Sequence, residues 1–495
     1  MSRTPTRAKI VATLGPASAR LATIRALARA GADVFRLNFS HGDHPSHARL
    51  IALVRRVEAL EYRPLAILAD LQGPKIRVGR LRGGQPLILR RGQPLSIVAR
   101  PGAIGEPGRI GCTYAGLARD VRRGSRILLD DGNLEVEVVR VRGDEVQTRV
   151  RAGGILREHR GINLPGAPVG APSLGRKDLA DLAFVLDQGV DFIGLSFVRS
   201  AGEVRDLSRR IAKAGSAAQV IAKIERPEAV DRIDEIVEAA DGILIARGDM
   251  GVELGAEEVP GIQKRLIRLA VAAAKPVITA TQMLESMIEH PRPTRAEASD
   301  VANAVLDGTS AVMLSAETAS GAYPVEAVRT MERIVRRTER DIGLPSRETG
   351  EPHDAVARRL ASRRGSPPSI AESITCAAAG AAVEARARVV AVLTEHGRTA
   401  HLLARERIPT PVVAFTPSRA TWRQLALEWG VTPSRLEHAG SAAALQRAVA
   451  RALLGHRWAA KGDRVVFVAG RLRVSGATDS VHLRSLAAKF PTSMP

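Results

Sequence analysis

Three short apolar runs in this sequence end in groups suited to anionic, metal-assisted chemistry. Val220–Glu225 ends on a cation and a carboxylate, Lys223 and Glu225. Gly242–Asp249 ends on Gly248 and a second carboxylate, Asp249, and Pro276–Gln282 ends on the Thr281 hydroxyl and an amide. Glu225 and Asp249 together suit one hard cation such as Mg2+ or Mn2+, which takes one or two carboxylates and keeps water for substrate oxygens. Lys223 and Glu225 stand at i and i+2, on one face of a strand, so a structural ion pair is the alternative reading. A cation beside a metal is unfavourable unless an anion lies between them, and a phosphoryl group resolves that conflict. Gly248 lets the backbone approach closely, and the free N–H groups of the next turn suit a carboxylate or phosphate.

These groups converge only if the runs are strands of one parallel barrel, whose C-terminal ends open on a common face. Strand-like runs recur at Ile10–Leu14, Val34–Phe39, Leu65–Leu71, Phe192–Phe197, Val220–Glu225, Gly242–Ala246, Pro276–Ala280 and Ser310–Leu314. Helix-length amphipathic segments such as Arg20–Ala30, Pro45–Leu60 and Glu203–Ala214 alternate with them, which predicts βα units. A doubly wound open sheet is disfavoured because no Gly-x-Gly-x-x-Gly turn follows the first run. Between Leu71 and Phe192 the rhythm breaks into short alternating strands with turns at Arg82-Gly83-Gly84, Asp131-Gly132 and Arg142-Gly143-Asp144. A β-rich insertion of roughly 95 residues at that face suits a lid. A polar, Pro/Gly-punctuated stretch from Asp341 to Ser369 reads as a boundary, and strand candidates follow at Ala387–Leu393, Pro411–Phe415 and Arg464–Val468. The expected fold is α/β: a (β/α)8 TIM barrel (1–72 and 172–345), an inserted small β-barrel lid (73–171) and a C-terminal α/β domain (346–495).

Composition narrows the function classes. The 495 residues are too many for one ordinary domain, and 45% hydrophobic residues suffice for sizeable cores. Cys112 and Cys376 are too few and too far apart for a disulfide framework, which fits a reducing compartment. Met1–Pro5 leaves no room for a secretory leader before the first strand, and no run is long enough to span a membrane, so a cytoplasmic location is expected. The net charge of +21 is spread over pairs such as Arg55-Arg56 and Arg122-Arg123 without interleaved aromatics. That pattern reads as a basic surface attracting small anions, not as a nucleic-acid interface.

The ordered motifs resemble those of the pyruvate kinases across nearly the whole chain. They run from Lys9-Ile10-Val11-Ala12-Thr13-Leu14-Gly15-Pro16-Ala17-Ser18 through Arg36-Leu37-Asn38-Phe39-Ser40-His41-Gly42 to Asp70-Leu71-Gln72-Gly73-Pro74-Lys75-Ile76-Arg77. They continue through Asn163-Leu164-Pro165-Gly166, Ala222–Glu225, Ala246–Gly251, Ala280–Met287 and Met313–Thr318. The resemblance implies Mg2+-dependent phosphoryl transfer from phosphoenolpyruvate to ADP, giving pyruvate and ATP in glycolysis, by a homotetramer as in the family. By the same likeness Lys223 stabilises the transferring phosphoryl, Glu225 and Asp249 hold Mg2+, and the Gly248 and Asp249 amides receive the substrate carboxylate. Arg36 and Arg77 clamp phosphate, as forked donors suit. Thr281 positions substrate and, with Ser315 and Glu317, supports a proton path. Asn38, Ser40, His41, Arg77 and Arg160 face nucleotide, and Asn38, Ser40, Asp70 and the Leu71 carbonyl match a K+ site. Without the family match, His41, His44 and His47 could be read as a metal cluster; a loop and helix start with solvated histidines is the preferred reading.

Two departures matter. Lys75 stands where K+-dependent members of the family carry Glu, so its ammonium could replace K+ and make activity K+-independent. Thr394, Gly397, Arg398 and Thr399 resemble an effector-phosphate loop, but Glu395 sits where fructose-bisphosphate-activated members favour lysine. Little response to that effector is expected, with a sugar monophosphate or AMP as the replacement. The alternatives to a pyruvate kinase are another barrel enzyme using a related ligand with Mg2+, and a non-catalytic basic binding protein. The nucleotide-facing motifs and the lid argue against the first, and intact Lys223, Glu225, Asp249 and Thr281 against the second.

Overall fold

The computed structural model describes residues 6–167, 170, 172–342, 367–437, 442–470 and 478–486. Ala171 and the expected boundary near 345 lie outside the described residues.

Eight parallel strands close into a barrel: Lys9–Leu14, Val34–Asn38, Ala66–Asp70, Phe192–Leu195, Gln219–Ile224, Gly242–Ala246, Val277–Ala280 and Ala311–Leu314. Closure is made by the first and last strands, with Lys9 opposite Ala311. All eight expected runs are therefore strands. They read as unbroken apolar runs because a parallel strand is buried on both faces. Along each strand the side chains alternate. Val11, Val34, Leu68, Ile221, Leu244 and Ile278 fill the barrel interior. Ile10, Phe35, Ile67, Ile193, Ile243 and Val312 point outward onto the helices.

The helices form where the periodicity placed them, at Leu21–Ala30, His44–Glu61 and Ala201–Lys213. Helix Arg295–Leu306 shows how local chemistry fixes an end. The Thr294 hydroxyl accepts from the Glu297 N–H while the Glu297 carboxylate accepts from the Thr294 N–H. This reciprocal cap stabilises the helix start by about 1 kcal/mol. In helix His44–Glu61 the buried stripe is His47, Leu50, Ile51, Val54, Val57 and Glu58. The expectation of solvated histidines fails at His47, which is buried and stacks on Phe39 at 4.1 Å.

The insertion after the third strand is β-rich. Its strands form a six-stranded sheet and a two-stranded sheet around one apolar core. The hairpin Arg126–Leu129/Leu134–Arg142 turns at Asp130, Asp131 and Gly132, all with positive φ. The C-terminal region carries a five-stranded sheet, Val389–Leu393, Val412–Thr416 and Arg464–Gly470 at its centre. Its edge strands, Val431–Arg435 and Thr478–Ser485, were not expected from the sequence. This region closes the N-terminal end of the barrel: Ala426 and Leu427 join the barrel's inner core, and Arg423 pairs with buried Glu58 at 2.6 Å. The opposite, C-terminal end stays open toward the inserted sheets. Among the described residues, no helix is long and apolar enough to cross a membrane.

Candidate active site

The C-terminal ends of the barrel strands bring the sequence-predicted residues together. Lys223, near the end of the fifth strand, is the hub. Its ammonium lies 3.0 Å from Glu225 Oε1 and 3.1 Å from Asp70 Oδ1, and it donates to Ser196 Oγ at 2.8 Å. The ion pair weighed as an alternative for Lys223 and Glu225 is thus formed, inside a larger cluster. Burial alone would lower the Lys223 pKa, but Asp70 and Glu225 more than offset it and hold the ammonium charged. Asp70 feels the same opposition: burial favours its neutral form, yet Lys223 and Arg36 keep its pKa below the ordinary carboxylate value. Arg36 grips Asp70 Oδ2 through Nη2 at 2.6 Å and Nε at 2.7 Å, and donates to Thr13 Oγ1 at 3.2 Å.

Glu225 is buried, its second oxygen accepting from the Phe197 N–H at 2.7 Å. Burial, with Asp249 adding repulsion, pushes its pKa up to about 7 in spite of Lys223. A buried carboxylate whose proton affinity is raised further by a second carboxylate near it belongs to a donor set that a hard divalent cation relieves. Among the described residues no group of three or more His, Cys, Asp or Glu side chains converges on one point. A cation between Glu225 and Asp249 would therefore keep coordination positions for water and substrate oxygens, as Mg2+ prefers. Residues and metal type fit.

Asp249 lies in the first turn of helix Arg247–Leu254, directly after the sixth strand. The Gly248 N–H donates to Thr281 Oγ1 at 3.1 Å, joining the sixth strand end to the seventh. Thr281 and Gln282 both have left-handed backbone, φ 70° and 55°. For a β-branched residue that conformation costs on the order of 1–3 kcal/mol and persists only where neighbours enforce it. Phe197, whose N–H holds Glu225, is left-handed too, φ 54°. At the eighth strand end, Glu317 accepts from the Ser315 N–H at 2.6 Å and the Leu284 N–H at 3.2 Å, and burial raises its pKa.

The inserted sheets reach this mouth through the chain segment after the third strand. Lys75 lies 3.8 Å from Asp249 Oδ1 and 4.0 Å from Asp131 of the insertion. Its partners are thus not Asp70, the acid of the expected K+ site. That acid already has two cations, and the Leu71 carbonyl accepts from Ser196 Oγ at 2.6 Å. Asn38 Oδ1 accepts from the Ser40 N–H at 3.0 Å. Arg77 donates to the His159 carbonyl at 2.9 Å, and Arg160 pairs with Asp130 at 3.2 Å. Burial, then Arg77, Arg36 and Lys75, lower the His41 pKa, which marks these groups as electrostatic neighbours. At the base of the insertion, Glu253 accepts from Asn163 at 3.0 Å and pairs with Arg226 at 3.2 Å.

The three histidines do not form a metal site. His44 pairs with Asp181 at 2.8 Å, and His47 bonds the His41 carbonyl at 2.9 Å. In the C-terminal region the Thr394 hydroxyl accepts from the Gly397 N–H, Gly397 is left-handed at φ 85° before helix Arg398–Arg405, and the Thr399 hydroxyl contacts Thr478 at 2.6 Å. Sequence reasoning missed Ser196, Thr13, Arg247 and Lys177. Lys177 donates to the Phe39 carbonyl at 2.6 Å, placing a cation against the Asn38–His41 turn. The only local signal for Ser196 was its place near the end of the strand-like run Phe192–Phe197.

An eight-stranded parallel barrel with cations and carboxylates packed at its C-terminal mouth beneath an inserted β-rich region defines a barrel enzyme acting on anions. Residues 5–328 match the family model for the pyruvate kinase barrel domain, and residues 372–483 that for the pyruvate kinase alpha/beta domain. The chain belongs to the pyruvate kinase family, and its activity class is that of a phosphotransferase. Pyruvate kinase 2 of Synechocystis is 44% identical, over 98% of this chain and 80% of its own length. The pyruvate kinase of Corynebacterium glutamicum is 44% identical, over 97% of this chain and 98% of its own. A crystal structure of a Cryptosporidium parvum pyruvate kinase superposes with a TM-score of 0.89 at 34% identity, covering 97% of this chain and 96% of that one.

Proposed function

We propose that this enzyme transfers the phosphoryl group of phosphoenolpyruvate to ADP, with a divalent cation and without need of K+, as a step of glycolysis. The observation that carries this reading is the Lys223 cluster: one buried ammonium between Asp70 and Glu225 at the barrel mouth. Phosphoryl transfer demands charge neutralisation more than covalent help, because the moving group carries its charge on equatorial oxygens. Lys223 and Arg36 would face those oxygens, and Arg77 would clamp the phosphate chain. The Gly248 and Asp249 amides would receive the substrate carboxylate. Glu225 and Asp249 would hold Mg2+ or Mn2+, which when bound supplies Lewis-acid stabilisation to the substrate oxygens.

As the ester P–O bond breaks, its electron pair remains on the enolate, and an ADP oxygen takes the phosphoryl. The enolate is then protonated at carbon. Thr281, backed by Ser315 and Glu317, would position the enolate and the proton that reaches it. Asn38, Ser40, His41 and Arg160 would line the nucleotide side.

K+ independence is supported by charge. Asp70, an acid of the K+ site in K+-dependent relatives, has Lys223 and Arg36 on it, and Lys75 adds a further cation at Asp249. By family likeness we also propose the three-part division at 72/73, 171/172 and 345/346, a cytoplasmic homotetramer, and an effector phosphate at Thr394, Gly397, Arg398 and Thr399. Pyruvate formation from phosphoenolpyruvate tests the main reading. It should require ADP and stop when a chelator removes divalent cations; turnover in the chelator would contradict the reading.

A further inference from the structure

We propose that Arg247 is a positioning residue that holds Thr281 in its left-handed conformation and so sets the geometry of the substrate and its proton. The proposal rests on the reading of Thr281 given above. Arg247 begins the helix that carries Gly248 and Asp249, yet its side chain crosses to the seventh strand end. Its Nε donates to the Ala280 carbonyl at 3.1 Å, and its Nη2 donates to the Thr281 carbonyl at 2.6 Å and to Met283 Sδ at 2.8 Å. One planar fork therefore spans the two carbonyls that flank the Thr281 α-carbon's turn away from the strand.

The fork is itself fixed from behind. Asp300, on helix Arg295–Leu306, accepts from Nη1 at 2.7 Å and pairs with Nη2 at 2.7 Å, while Gln263 Oε1 is 3.4 Å from Nη1. Gln263 is tied in turn to Asp307 at 3.0 Å. The guanidinium is thus a partly buried joint between two strand ends and two helices.

The consequence falls on Thr281. Its hydroxyl donates to the Ala280 carbonyl at 2.6 Å and accepts from the Gly248 N–H at 3.1 Å. The Ala280 carbonyl that orients the hydroxyl is the one Arg247 Nε holds. Without the fork, the two consecutive left-handed residues lose their outer constraint, and the segment relaxes toward extended backbone. The hydroxyl then leaves its place beside Gly248, while Lys223, Glu225 and Arg36 stay in theirs. Binding should survive and turnover should fall.

A double-mutant cycle on the full-length enzyme tests this, with Arg247→Met, Thr281→Ala and the pair. Arg247→Met should lower kcat about 30-fold with the KM for phosphoenolpyruvate changed less than about threefold. The pair should be no worse than about threefold below the slower single variant, because residues acting as one unit are non-additive. Guanidinium ion added to Arg247→Ala should raise kcat at least about fivefold, and methylammonium should not, since only the planar fork spans both carbonyls. Should Arg247 variants fold poorly, Asp300→Asn keeps the arginine and loosens its anchor. It should cost kcat about three- to tenfold, and nothing further in a Thr281→Ala background. Losses that multiply, or a KM increase at unchanged kcat, overturn the proposal alone. Near-normal kcat in Thr281→Ala overturns the reading of Thr281 and the proposal with it.

Discussion

Lys75 Nζ lies 3.8 Å from Asp249 Oδ1, so a cation from the segment leading into the inserted sheets meets one of the two carboxylates proposed to hold the divalent cation. Asp131 of the insertion stands on its other side at 4.0 Å. The ammonium offsets negative charge where the barrel and the insertion meet.

Lys75→Glu would place a third carboxylate against Asp249 and Asp131 and remove that offset. We expect activity in tetramethylammonium buffer to fall at least about tenfold, because like charges this close raise one another's proton affinity and hinder anion binding. Added K+ should restore much of it. Initial rates with and without K+ check this; a variant as active as the parent in tetramethylammonium would contradict the role given to Lys75.

Lys223→Met removes the hub of the cluster. Turnover should drop on the order of a thousandfold, the range lost when a preorganised charge facing the transition state is deleted. Glu225 can take up a proton, its pKa being already about 7, so the fold should persist. Circular dichroism together with pyruvate formation separates these effects. Near-normal turnover would sink the assignment.

Acid should loosen the C-terminal region through Glu372. Burial opposes its charged form, but Arg405 at 2.9 Å and the Ser369 N–H and hydroxyl overcome this and pull its pKa down to about 2. A depressed carboxylate contributes stability that is complete above its unfolded pKa and disappears as pH falls through the folded value. Glu372 is partly exposed, so solvent screening reduces the contribution to about 1 kcal/mol. Glu372→Gln should therefore unfold more easily than the parent at pH 7, with the penalty shrinking as pH falls toward 2. Thermal melts across that range check it; a penalty unchanged at low pH would contradict it.

The barrel was legible in the sequence because buried parallel strands cannot hide: each is an apolar run with chemistry at its end. The missed strands, Val431–Arg435 and Thr478–Ser485, lie at sheet edges where half the residues face water and the apolar pattern breaks. His47 could have been read correctly, since it falls on the stripe with Leu50, Ile51 and Val54. The charged site residues were visible one strand end at a time. Their partners were not, because Ser196 and Thr13 meet the cluster, and Arg247 meets Thr281, only once the strands are assembled side by side, and a lone Ser, Thr or Arg carries no spacing signal. Lys75 was legible as a change of charge, but its contact with Asp249 rather than Asp70 required coordinates.

The most direct measurement is the initial rate of pyruvate formation from phosphoenolpyruvate and ADP with Mg2+, in tetramethylammonium chloride against potassium chloride at equal ionic strength. Lys223, Arg36 and Lys75 already supply the local positive charge, so the two rates should agree within about twofold. A tenfold or larger gain with K+ would contradict the account.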